Sequence, residues 1–84
     1  MPGKRNANLT RPALKDLRAL PPSTVAAIQA TIDKLIDNPL LGKPLKGELA
    51  GQRRLRVGRY RIVYAFDEQT IHVVSIDDRK DVYR

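Results

Sequence analysis

Basic side chains are concentrated in one short stretch of this sequence, and their type indicates the chemistry that they could do. Residues 46–61 hold six basic side chains against a single acidic one, Glu48. The six are Lys46, Arg53, Arg54, Arg56, Arg59 and Arg61. Five of them are arginines, and the planar guanidinium group binds two phosphate oxygens at once and stays charged. The stretch therefore predicts a surface that recognises phosphate groups.

The charge of the whole chain supports this interpretation. Its 84 residues suffice for one domain, over residues 1–84, and include 16 Lys and Arg against 9 Asp and Glu, a net charge of +7 at pH 7. Such an excess on so small a surface predicts a polyanionic partner, for which nucleic acid is the first candidate.

Residues for several other kinds of chemistry are missing or badly placed. The chain has no cysteine and a single histidine, His72, which argues against zinc and iron centres and suits a reducing cytoplasm. Ser75 lies three residues from His72, so in a strand the two are expected on opposite faces, where they form no catalytic pair. The glycines lack the spacing of a phosphate-binding loop, so we expect no cofactor. No long apolar run follows the basic N-terminus, so we expect neither a secretory signal nor a membrane partner.

Two helices precede the arginines in the predicted order of elements. Thr10 stands where an N-cap belongs, and the apolar spacing after it predicts a helix over residues 11–20. Ser23 offers a second cap, after which an apolar period of 3.6 residues predicts a longer helix over residues 23–37. Ahead of both helices, residues 1–9 carry a weak strand pattern.

Beyond residue 40 the apolar period changes from 3.6 to 2, which is typical of strands. After a turn-rich connector, strands are predicted over residues 53–57, 60–66 and 70–76. The two-residue loop Gly58-Arg59 has the length of a tight hairpin. The predicted fold class is therefore α+β, with two N-terminal helices packed on one face of a small antiparallel sheet.

The hairpin loop also predicts which side chains share a face. Arg56 should oppose Arg61, and Arg54 should oppose Val63, so three arginines lie on the face that the helices leave uncovered. Directly opposed like charges destabilise a sheet by up to about 1 kcal/mol, which favours an anionic ligand that offsets the cost. The alternative is that these arginines keep an exposed face soluble by pairing with nearby carboxylates. Three are close in sequence: Asp77, Asp78 and Asp81.

Four segments of the chain have the order and spacing of a known family. They are residues 14–21, the run Gly42-Lys43-Pro44-Leu45-Lys46-Gly47, residues 54–64, and Ile76 with Arg79-Lys80-Asp81-Val82-Tyr83-Arg84. Together they resemble the RelE branch of the RelE/ParE toxin superfamily, over about residues 9–84 of this chain. The resemblance rests on the order of the segments, since no single one is unique.

The resemblance implies the toxin of a type II toxin–antitoxin system, acting as a ribosome-dependent mRNA interferase. Such a toxin needs no metal: the 2′-hydroxyl of the substrate attacks the adjacent phosphodiester and leaves a 2′,3′-cyclic phosphate and a 5′-hydroxyl. The implied partners are the ribosome with its mRNA and a cognate RelB-like antitoxin. Operator DNA would be contacted only through the antitoxin.

The resemblance and the basic stretch together assign the site residues. Four are implied to be catalytic: Arg56, Arg61, Arg79 and Tyr83. Five more are RNA-binding candidates: Lys43, Lys46, Arg53, Arg54 and Arg59. Active relatives often carry lysine where this chain has Arg54 and Arg56, and a guanidinium does not act as a base. The group that takes the proton from the 2′-hydroxyl is therefore left open.

Two other functions are compatible with the same fold. A ParE-like protein would poison DNA gyrase without cutting nucleic acid, but such proteins generally lack the arginine set and C-terminal tyrosine that Arg79 and Tyr83 complete here. A binding module without chemistry is the other alternative. Asp77-Asp78, where relatives commonly carry Gly-His, favours it.

Overall fold

The computed structural model describes residues 5–78, which form two helices and five strands. In chain order the elements are β1 (Asn6–Leu9), α1 (Arg11–Arg18), α2 (Pro22–Asp37), β2 (Lys43–Pro44), β3 (Arg53–Val57), β4 (Tyr60–Phe66) and β5 (Thr70–Asp78), with a single 3₁₀ turn at Gly47–Leu49 after β2. The predicted α+β class is confirmed, and so is the weak N-terminal strand.

The five strands form one sheet in the order β1-β5-β4-β3-β2. Strands β3, β4 and β5 pair antiparallel, as predicted. Strand β2, which lies in the segment predicted as a connector, also pairs antiparallel with β3. Strand β1 runs parallel to β5, so the sheet is mixed rather than antiparallel. Backbone bonds at both ends of β1 hold it there: Asn6 N donates to Gln69 O at 2.8 Å and Thr10 N to Val73 O at 3.0 Å. The residues of β1 alternate in polarity whichever way the strand runs, so its sequence does not indicate its direction.

Both helices pack on one face of this sheet and share a single core. The core residues are aliphatic except for one tyrosine: Ala13, Leu17, Ile28, Ile32 and Leu35 from the helices, with Ile62, Tyr64, Ile71, Val73 and Ile76 from the strands. Each large aliphatic side chain contributes about 1.5–3 kcal/mol by leaving water. Because both helices lie on one face, no helix of residues 5–78 covers the other face of the sheet.

The ends of the helices differ in detail from the prediction. Thr10 is the N-cap of α1, as expected: its Oγ1 accepts a hydrogen bond from Ala13 N at 3.2 Å. The helix ends at Arg18 rather than residue 20, because the next turn tightens and Leu20 N bonds to Leu17 O. Ser23 is not a cap, since α2 begins at Pro22 and Pro21 occupies the cap position without a side-chain bond.

A β-bulge in β5 changes which side chains share a face. Val63 of β4 lies opposite Ser75, but the next residue, Tyr64, lies opposite Val73, so Val74 is the extra residue. The Thr10 hydroxyl donates to the Val74 carbonyl at 2.7 Å and fastens the start of α1 to the bulge.

No helix of residues 5–78 is long and apolar enough to cross a membrane.

The bulge overturns one expectation about His72 and Ser75. His72 lies opposite Ala65, and Ser75 lies opposite Val63. Ala65 and Val63 are two residues apart in β4 and share a face, so His72 and Ser75 share it too. The prediction of opposite faces was wrong because it assumed a regular strand.

Candidate functional site

The open face of the sheet carries a set of basic side chains that we call the arginine face: Lys43, Arg54, Arg56 and Arg61. The β3–β4 hairpin pairs exactly the residues that the loop length predicts, with Arg56 opposite Arg61. Gly58 at φ +60° makes the turn possible, because this backbone conformation is strained for other residues. Strand β2 then adds Lys43 beside Arg54. The arginine face therefore spans β2, β3 and β4.

These four cations have no ion pair or hydrogen-bond partner within residues 5–78. Arg54, Arg56 and Lys43 are exposed, while Arg61 is half-buried. The Nε atom of Arg61 is fully buried and has no acceptor. An unpaired buried donor costs about 1–3 kcal/mol, so its presence asks for an explanation. The charge of this guanidinium is therefore uncompensated within residues 5–78, and an anion at the arginine face would compensate it.

The two carboxylates at the end of β5 have different positions. Asp78 forms an ion pair with Arg59, with Oδ2 lying 2.6 Å from Nη2 and Oδ1 accepting from Nε at 3.3 Å. Asp77 lies opposite Arg61 on the arginine face and accepts a hydrogen bond from Ser75 Oγ at 3.2 Å. Pairing with a nearby carboxylate, which the sequence left open as an alternative role for these arginines, is therefore observed for Arg59. Asp81 lies outside the described residues.

Three of the predicted site residues do not belong to the arginine face. Arg53 lies opposite Tyr64, on the side of the helices, and its Nη1 donates to the Gly42 carbonyl at 2.7 Å. Arg59 is in the hairpin turn and is held by Asp78. Lys46 is exposed and precedes the 3₁₀ turn that follows β2.

Two of the predicted catalytic residues, Arg79 and Tyr83, lie outside the residues that the structure describes. Their place relative to the arginine face remains a prediction.

A buried tyrosine, which the sequence analysis treated only as core, positions one edge of this face. Tyr64 donates its hydroxyl to Pro39 O at 2.7 Å and accepts from Gly42 N at 2.8 Å. A Cβ on Gly42 would lie 2.6 Å from both the Arg54 carbonyl and the Tyr64 hydroxyl, so only glycine fits. Burial raises the pKa of Tyr64, against the opposing effects of Gly42 N–H and Arg53. This contact holds the chain that leads into Lys43.

His72 and Ser75 now share a face, yet they form no catalytic pair. His72 Nε2 lies 3.1 Å from Asp67 Oδ2, whereas the Ser75 hydroxyl is directed to Asp77. The other oxygen of Asp67 accepts from Gln69 N and Thr70 N, and these bonds, with His72, lower the pKa of this carboxyl. Asp67 and His72 therefore shape the β4–β5 turn.

Solved structures of known proteins share this architecture. The toxin–antitoxin complex RelBE2 of Mycobacterium tuberculosis contains a chain with a TM-score of 0.82 and 36% identity, over 92% of this chain and 100% of that one. A chain of the RelB–RelE complex of Methanococcus jannaschii matches with a TM-score of 0.71 and 26% identity, over 89% of this chain and 93% of that one. The protein therefore has the fold of the RelE-like toxins.

Sequence comparison then identifies the family. Residues 7–83 match the ParE toxin of type II toxin–antitoxin systems. The toxin RelG of Mycobacterium tuberculosis is 40% identical over 79 residues, which cover 89% of this chain and 91% of RelG. The toxin RelE of the same organism is 38% identical over 80 residues, which cover 90% of this chain and 82% of that toxin. The chain belongs to the ParE toxin family and is a type II toxin, which confirms the superfamily predicted from its motifs.

Proposed function

We propose that this toxin is a ribosome-dependent endoribonuclease that inhibits translation by cutting mRNA. The observation that carries the proposal is the arginine face itself. Arg56 and Arg61 stand opposite each other on an open sheet face, and both lack a partner within residues 5–78. Opposed like charges destabilise the free protein. A phosphodiester bound between them would relieve that repulsion.

The proposed chemistry suits guanidinium groups. Attack by the 2′-hydroxyl on the adjacent phosphorus concentrates negative charge on the phosphoryl oxygens, and fixed donors aimed at that charge are commonly the largest catalytic contribution. Arg56 and Arg61 would stabilise this charge, with no metal required. Lys43 and Arg54 would hold the neighbouring phosphates. By resemblance, Arg79 and Tyr83 would complete the site.

We further propose a RelB-like antitoxin as the cognate partner. The Mycobacterium tuberculosis and Methanococcus jannaschii chains described above were solved in complexes of this kind. An acidic, partly disordered segment would be suited to covering a strongly basic surface, since such segments order on binding. Operator DNA would then be reached through the antitoxin only.

Single-turnover cleavage of mRNA on purified ribosomes tests the proposal. We expect wild-type toxin to produce 2′,3′-cyclic phosphate ends, and a substrate with a 2′-deoxy sugar at the cut site to resist. Arg61→Ala and Arg79→Ala should each slow cleavage by about 10²–10³-fold, the usual loss for one electrostatic stabiliser. Tyr83→Phe and Tyr83→Ala separate the role of the hydroxyl from that of the ring.

Pulse labelling after induction in cells distinguishes the gyrase alternative. If thymidine incorporation falls first while protein synthesis continues and mRNA stays intact, the toxin acts on DNA replication and the endoribonuclease proposal is wrong. Cleavage of the 2′-deoxy substrate at an undiminished rate would exclude the 2′-hydroxyl mechanism.

A further inference from the structure

Asp77 is a carboxylate placed among the arginines where the proposed reaction needs a proton acceptor. It lies directly opposite Arg61 in the β4–β5 register, and Arg61 lies directly opposite Arg56. The three side chains thus form one row across adjacent strands, on the same face of the sheet. Neighbouring strands are about 4.8 Å apart, so Asp77 is one strand away from Arg61.

We propose that Asp77 is the general base that takes the proton from the 2′-hydroxyl, an inference that rests on the proposed function. Guanidinium groups hold the phosphate but do not accept protons. In a near-attack geometry the 2′-oxygen lies about 3–3.5 Å from the phosphorus that it attacks. A phosphate held by Arg61 therefore brings its reacting hydroxyl close to the neighbouring side chain in the row, which is Asp77.

A neighbouring hydroxyl holds the Asp77 carboxylate in position. Ser75, two residues earlier and on the same face, donates its hydroxyl to Oδ2 of Asp77 at 3.2 Å. This bond orients the carboxylate and leaves Oδ1 without a hydrogen bond within residues 5–78. The charged groups that face Asp77 from the neighbouring strands are Arg61 and, beyond it, Arg56.

Two other proton acceptors of the described chain, His72 and Glu48, are worse placed. His72 lies opposite Ala65, four residues along β4 from Arg61, which is about 13 Å at the usual rise of a strand. Its Nε2 is also engaged with Asp67. Glu48 is in the 3₁₀ turn after β2, at the far edge of the sheet from β5. Asp77 is the carboxylate in the row of Arg56 and Arg61.

The proton balance of the step is simple. Asp77 accepts the 2′-hydroxyl proton as the 2′-oxygen bonds to phosphorus, and the bond from phosphorus to the 5′-oxygen breaks. The departing 5′-oxygen takes a proton from water, and the hydroxide formed removes the proton from Asp77. RNA is thereby split into a 2′,3′-cyclic phosphate and a 5′-hydroxyl, and the toxin is regenerated.

Asp77→Asn, which keeps the shape and removes the base, tests the inference on ribosome-bound mRNA. We expect single-turnover cleavage to slow by about 10²–10⁴-fold. The variant should bind RNA at least as tightly as wild type does, since a negative charge beside Arg61 is lost. Asp33→Asn makes the same charge change at an exposed position of α2 and should leave the rate unchanged.

The pH profile gives a readout that a structural role would not change. Between about pH 6 and 8 the wild-type rate should stay flat, whereas Asp77→Asn should speed up about tenfold per pH unit as hydroxide replaces the missing base. Asp77→Glu keeps a carboxylate and should keep the flat profile. If Asp77→Asn fails to fold, Ser75→Ala replaces it and should give a smaller loss of rate.

The outcomes separate the two proposals. If wild-type toxin cleaves and Asp77→Asn cleaves at the same rate with the same profile, the inference about Asp77 is overturned and the endoribonuclease proposal stands. If wild-type toxin does not cleave ribosome-bound mRNA, both are overturned.

Discussion

Tyr64 shows how a single buried residue supports the arginine face from the opposite side of the sheet. Its ring is fully buried, and its hydroxyl bonds both to Pro39 O and to Gly42 N. The bond from Arg53 to the Gly42 carbonyl ties the same loop to β3. The loop that precedes β2 is therefore attached to the sheet by side chains, and Lys43 is placed beside Arg54 as a result.

Tyr64→Phe should lower the free energy of unfolding by about 1–3 kcal/mol, because it leaves a buried amide and a buried carbonyl without their partner. Urea denaturation measures this directly. Tyr60→Phe is the matched control, since Tyr60 is half-buried and its hydroxyl has no hydrogen bond within the described chain. Equal losses in the two variants would show that the bonds to residues 39 and 42 add nothing.

At the scale of elements, the β4–β5 turn depends on the ionised form of Asp67. The carboxylate accepts bonds from Gln69 N at 2.7 Å, Thr70 N at 2.8 Å and the His72 ring at 3.1 Å. Because these bonds lower its pKa below the ordinary value near 3.8, the ionised side chain stabilises the folded state. That stabilisation is complete above the ordinary pKa and is lost as pH falls through the lowered one.

Asp67→Asn should therefore be less stable than wild type at neutral pH, and the difference should shrink as the pH falls below about 4. Thermal melts from pH 3 to 7 measure the difference. Glu68→Gln removes a charge from the same turn, at an exposed position, and should show no such trend. A difference in melting temperature between Asp67→Asn and wild type that stays constant with pH would contradict the role assigned to the carboxylate.

At the scale of the whole molecule, we expect the net charge of +7 to attract RNA and the arginine face to determine where it binds. Four neutralised phosphates on a single strand give a slope of about −3 for the logarithm of affinity against the logarithm of salt concentration. Titration of a single-stranded RNA oligonucleotide at several salt concentrations measures this slope.

Arg54→Gln should reduce the slope by about 0.7, since one phosphate contact is lost. Arg18→Gln makes the same charge change on the exposed side of α1, behind the sheet, and should leave the slope unchanged. If both variants change the slope equally, RNA binds through diffuse net charge and the arginine face is not its binding surface.

The features that the sequence predicted are those that residues close together in the chain determine. Apolar periodicity predicted both helices and four of the five strands, the first of them weakly, because burial on one face imposes a period of 3.6 or 2 wherever the partner element lies. The two-residue loop at Gly58 predicted that Arg56 faces Arg61, since loop length sets the register of a hairpin. The basic character of the open face followed from these local rules alone.

Other features depend on contacts between distant parts of the chain, and only the tertiary structure decided them. The direction of β1 is set by β5, more than sixty residues later, and the bulge at Val74 is fastened by Thr10. That bulge put His72 on the face of Ser75. Pairing across β4 and β5 placed Asp77 beside Arg61, and tertiary contacts gave Arg53 the Gly42 carbonyl and Arg59 the Asp78 carboxylate as partners. Local periodicity carries no information about these long-range contacts, because each depends on which strand packs beside which.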